Sequence, residues 1–89
     1  MKRVHLIVSG LVHGVGFRYN TRRKARLAEI TGFVRNCNDG TVEIEAQGTP
    51  EALERFIHWT HHGPPDAKVD SVEIRDLNVI ENELLFEIK

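Results

Sequence analysis

At 89 residues the chain has room for one domain, and a domain this short buries only roughly 60–65% of its unfolded surface, which argues against a deep, wide substrate cavity. Its apolar fraction of 40% and charged fraction of 28% fit an ordinary globular domain, and no apolar run reaches the about 18 residues that a membrane span requires. A net charge of −1 gives no pull toward nucleic acid, and a single cysteine, Cys37, excludes an internal disulfide and a paired-thiolate metal site.

Met1-Lys2-Arg3 leads into Val4 to Val8, too short for the apolar segment of a secretory signal, so a cytoplasmic address is expected. Val4, Leu6 and Val8 alternate with His5, Ile7 and Ser9, which predicts a strand buried on at least one face. Gly10 to Gly16 is a turn-like stretch with three glycines. Asn20 or Thr21 is expected to cap a helix running to about Ala28 or Ile30, with Thr21, Ala25 and Ala28 inward. Gly32 to Asn36 is a second strand, and Asn38-Asp39-Gly40 a hairpin turn, because Asp and Gly tolerate positive φ. Thr41 to Gln47 is the clearest strand, with Val42, Ile44 and Ala46 facing in.

Thr49-Pro50-Glu51 combines an N-cap hydroxyl, proline at the first helical position and an acid in the first turn. Leu53, Phe56, Ile57 and Thr60 give that second helix its buried face, and Gly63-Pro64-Pro65 stops it. Ala67 to Leu77 is a fourth strand in which Val69 is out of phase with Val72 and Ile74, so a bulge is expected. Leu84, Phe86 and Ile88 mark a short final strand. The order βαββαβ with a terminal strand predicts an α+β domain of the ferredoxin-like, split βαβ kind, two helices covering one face of a mostly antiparallel sheet. That arrangement leaves function open.

Charge is unevenly distributed. Met1 to Arg35 holds eight Lys and Arg against one acid, Glu29, whereas Asn36 to Lys89 holds four against twelve. Either the basic third shares a face and attracts an anion, or the two parts interleave and the field averages out.

The glycine segment Gly10-Leu11-Val12-His13-Gly14-Val15-Gly16-Phe17-Arg18 joins the first strand to the first helix. It reads as a tight turn or as a nest of inward N–H groups able to bind phosphate, with the helix N-terminus and Arg18 adding to the grip. It lacks the Gly-Lys-Ser/Thr of a nucleotide P-loop and the downstream acid of a dinucleotide fold. From Val8 to Arg18 the chain resembles the acylphosphatase signature V-x-G-x-V-Q-G-V-x-[FY]-R. Gly32-Phe33-Val34-Arg35-Asn36 leading to Asp39-Gly40-Thr41-Val42-Glu43 resembles that family's second block. Ala25, Gly48, Phe56, Trp59, Gly63-Pro64, Ala67 and Val69 extend the similarity over nearly the whole chain. Three positions depart from the pattern: His13 stands where Gln is usual, Cys37 where Thr is common, and Glu29 where Gly is frequent.

The resemblance implies a ferredoxin-like fold and hydrolysis of small acyl phosphates without a metal or other cofactor. It assigns phosphate binding to Arg18 and the loop residues Gly10, Leu11, Val12, His13, Gly14, Val15, Gly16 and Phe17, and orientation of the attacking water to Asn36. It also implies a monomer with no nucleic-acid or membrane partner. Competing readings are a non-catalytic ferredoxin-like module for RNA or a regulatory small molecule, and a domain of a larger carbamoyl-transferring maturation factor. The RNA reading wants free aromatics on the open sheet face, and Phe17, Phe33, Phe56 and Phe86 look committed to core or loop. His58, His61 and His62 have metal-ligand spacing, but a solvated helix C-terminus explains them more simply. His13 is expected to support the loop, His5 to face outward, Cys37 to be structural, and Arg22-Arg23-Lys24 with Arg26 to be a solvated face or a means of steering substrate.

Overall fold

The computed structural model describes residues 1–89. Its elements are β1 (Lys2–Leu11), α1 (Phe17–Leu27), β2 (Thr31–Asn36), β3 (Val42–Gly48), α2 (Pro50–Thr60), β4 (Lys68–Leu77) and β5 (Phe86–Ile88). One sheet runs in the order β4-β1-β3-β2-β5, antiparallel throughout except between β2 and β5. Val4, Leu6 and Val8 of β1 oppose Ala46, Ile44 and Val42 of β3, and Val34 of β2 opposes Ile44. All of them are buried with Phe17 and Ala25 of α1 and Ala52, Leu53 and Phe56 of α2. The period-2 strand faces and the helical stripes therefore meet in one layer, with both helices on the same side of the sheet. Phe17, Trp59, Phe56 and Phe86 form an aromatic row, with successive ring centroids 5.7, 6.5 and 6.1 Å apart, joining the start of α1 to α2 and β5. No helix is long and apolar enough to cross a membrane.

The first helix begins earlier than Asn20 or Thr21 allows. Gly16, at φ 77°, precedes the first helical residue, and no side chain caps the helix. Asn20 and Thr21 lie one turn inside, where the Asn20 side-chain amide donates to the Gly16 carbonyl (2.8 Å) and the Thr21 hydroxyl to the Phe17 carbonyl (2.8 Å). These residue types bind a carbonyl one turn back as readily as an amide ahead. The helix ends in a Schellman motif, in which Ile30 N–H donates to the Ala25 carbonyl (2.8 Å) and Glu29 N–H to that of Arg26 (3.2 Å). Glu29 fills the left-handed position at φ 57°.

The expected bulge is present. Ser9 opposes Ser71 while Gly10 opposes Val69, leaving Asp70 as the extra residue. Gly10 is needed there: its φ is 128°, and a Cβ would lie 2.1 Å from the Lys68 carbonyl oxygen. Leu84 stands outside the last strand, largely exposed, because residues 81–85 turn to carry Glu83 toward β1.

The other sheet face is held by polar pairs. Arg3, only 2% exposed, donates to Glu45 (2.9 Å), Glu83 (2.8 Å) and Gln47 (3.2 Å). Gln47 exchanges two 2.9 Å hydrogen bonds with the backbone of Ile80. His5 faces outward, 2.7 Å from Glu43, which also pairs with Arg35. Hydrogen bonds from His5 and then Arg35, against the opposing effect of burial, hold the Glu43 carboxyl below its ordinary range.

Because a residue with a Cβ costs roughly 1 kcal/mol more than glycine in the left-handed conformation, Glu29→Gly should stabilise the fold by about 0.5–1 kcal/mol. Thermal unfolding should show a melting temperature raised by a few degrees; a lower one would mean that the Glu29 side chain makes a compensating contact.

Candidate active site

β1, β2 and β5 run in the same direction, since both β1 and β2 are antiparallel to β3 and β5 is parallel to β2. Their carboxyl ends and the amino end of α1 meet at one edge of the sheet. A pocket of about 210 Å³ lies there, lined by Val12, Gly14, Gly16, Phe17, Arg18, Tyr19, Asn36 and Ile88.

The loop is positioned from both sides. Val12 and Phe17 are buried and anchor it in the core, while Gly14 and Gly16 take φ values of 70° and 77°. Between these anchors no backbone N–H from Val12 to Tyr19 donates to another group of the protein; the first to do so is Asn20, bonded to the Gly16 carbonyl (3.1 Å). The same segment holds the amino end of the α1 dipole, and the first turn contains no acid. His13 turns away from the pocket and donates from Nε2 to the Thr41 carbonyl oxygen (2.8 Å), tying the loop to the β2–β3 hairpin. Arg18 is exposed and has no ion-pair partner within 4.0 Å.

Asn36 is the last residue of β2, and its backbone is fixed opposite Val42. Its side-chain Oδ1 is buried with no hydrogen-bond partner. Buried acceptors without donors are rare and costly, and this one belongs to a residue that lines the pocket.

Six of the residues singled out from the sequence line this pocket: Val12, Gly14, Gly16, Phe17, Arg18 and Asn36. Gly10 and Leu11 belong to β1 and pair with Val69 and Lys68, and neither they nor His13 and Val15 line it. Val15 packs, half-buried, against the core. Tyr19 and Ile88 line the pocket without having been picked out. Tyr19 follows from starting α1 at Phe17, whereas Ile88 arrives only through the β2–β5 pairing, for which local sequence carries no signal. His61 and His62 donate from Nδ1 to the carbonyls of Ile57 (3.0 Å) and His58 (3.2 Å), so they finish α2. No three His, Cys, Asp or Glu side chains gather as a metal-binding group.

The family model described as Acylphosphatase matches residues 4–88. The chain belongs to the acylphosphatase family. A protein named Acylphosphatase from Thermococcus kodakarensis is 51% identical over 77 residues, covering 84% of this chain and 85% of that protein. Another of that name from Geobacillus thermodenitrificans is 46% identical over 88 residues, covering 99% and 94%. The crystal structure of acylphosphatase from Bacillus subtilis superposes with a TM-score of 0.95 at 36% identity, covering 100% of this chain and 99% of that one. The architecture is thus the acylphosphatase form of the ferredoxin-like fold, and the protein is an enzyme of the hydrolase class.

The partnerless Asn36 oxygen has a measurable consequence for this acylphosphatase-family chain. Asn36→Ala should leave urea-unfolding stability equal to or up to about 1 kcal/mol above that of the wild type, because it removes an unmet acceptor. A loss of 2 kcal/mol or more would show that the carboxamide is a structural brace.

Proposed function

We propose that the enzyme hydrolyses the carboxyl–phosphate bond of small acyl phosphates in the pocket between the Val12–Gly16 loop, Arg18 and Asn36. The observation that carries this reading is the meeting, in one small pocket, of an unpaired guanidinium, a run of unpaired amides at a helix N-terminus and the Asn36 carboxamide. A phosphate and a water at this point give these groups partners.

The phosphate oxygens accept from the loop amides and from Arg18, which neutralise charge as it grows in the transition state. The Asn36 carboxamide, which lines the pocket, holds a water and aims the water's oxygen at phosphorus, opposite the acyl oxygen. The water oxygen forms the new bond to phosphorus as the bond from phosphorus to the acyl oxygen breaks. The carboxylate leaves with the electron pair, and the proton of the water passes to a phosphate oxygen. A carboxylate is a good leaving group, and an amide is too weak a base to take that proton. The chemistry asked of the protein is therefore positioning and charge compensation, which these groups supply without a metal.

Benzoyl phosphate hydrolysis in EDTA tests the reading. Arg18→Ala should lower kcat/KM by about 10³-fold or more, the scale seen for phosphoryl-transfer arginines. Asn36→Ala should act mainly on kcat, by roughly 10²–10³-fold. Full activity in Arg18→Ala, or a change confined to KM in Asn36→Ala, would remove the corresponding role.

A further inference from the structure

We propose that the outer arginines of α1 form a second anion subsite, continuous with the pocket, which favours acyl phosphates whose acyl group carries its own negative charge. The inference rests on the catalytic reading above and specifies the substrate class within it.

Of the eight Lys and Arg between Met1 and Arg35, the three on strands are paired: Lys2 with Asp76, Arg3 with Glu45 and Glu83, and Arg35 with Glu43. The five on α1, namely Arg18, Arg22, Arg23, Lys24 and Arg26, have no acidic partner within 4.0 Å. Arg18, Arg22 and Arg26 follow one another at four-residue spacing, which puts like charges on one helical stripe with about 5–6 Å between successive Cβ atoms. Such a stripe destabilises the empty helix by a small amount per pair and is relieved by a bound anion.

The surface is also a cavity. About 280 Å³ is lined by Tyr19, Arg22, Arg23, Arg26 and Leu27, with no acid among them. Tyr19 is the shared wall, since it lines the catalytic pocket as well. Its ring lies 5.7 Å from the Arg22 guanidinium carbon, within cation–π range. A substrate with its phosphate at Arg18 can therefore pass its acyl chain over the Tyr19 ring and present a distal anion to Arg22 and Arg26. The subsite ends there, because the next cavity along the helix brings Glu29 and Glu83 beside Arg26.

The test compares benzoyl phosphate with 4-carboxybenzoyl phosphate, which share the reacting group and differ by one distal charge. At low ionic strength the wild type should show a kcat/KM roughly three- to tenfold higher for the carboxylated substrate, the scale of one or two part-exposed ion pairs. Arg22→Gln with Arg26→Gln should bring the ratio to about one, Arg22→Lys with Arg26→Lys should keep most of it, and 0.5 M salt should reduce it. A wild-type ratio at or below one, or a ratio unchanged in the double Gln variant, overturns the subsite. Failure to hydrolyse either substrate would instead overturn the catalytic reading on which it rests.

Discussion

A helix whose first turn lacks both a side-chain cap and an acid leaves its amides facing outward, and in this chain that condition extends back through the loop before it. From Val12 to Tyr19 the backbone donors have no internal acceptor, which a small domain tolerates only where solvent or a ligand can reach them. Much of the surrounding structure follows from that constraint. Val12 and Phe17 must be buried so that the loop between them holds its shape, and the aromatic row from Phe17 through Trp59 and Phe56 to Phe86 gives the second anchor a rigid base.

Opposed charge environments on the two sides of the sheet reinforce this arrangement. On the side away from the helices, Arg3 is buried and fully engaged by Glu45, Glu83 and Gln47. On the helix side, the five basic residues of α1 have no acidic partner within 4.0 Å. The two halves of the chain do not average their charges: acids of β3, β4 and the segment before β5 pair with Lys2, Arg3 and Arg35 and leave the α1 cations without partners. One fold thus pairs its first-third strand cations and leaves those of α1 to solvent.

Most of this was legible in the residues. Alternating Val4-Leu6-Val8 and Val42-Ile44-Ala46 defined the strand faces, Thr49-Pro50-Glu51 the start of α2, and the displaced Val69 the bulge, because each depends on neighbours in sequence. The glycine spacing with Arg18, and the block ending at Asn36, pointed to residues that do line a common pocket. Long-range pairing escaped notice. Ile88 reaches the pocket by lying parallel to Val34, and Arg3 is buried only because a distant turn delivers Glu83. The start of α1 was misplaced because Asn20 and Thr21, good caps in isolation, spend their hydrogen bonds on carbonyls behind them.

The bond from His13 to the Thr41 carbonyl carries a further consequence. A carbonyl oxygen only accepts, so the ring must hold its proton on Nε2. That single donor clasps the loop to the hairpin, so whatever fixes the hairpin also fixes the loop.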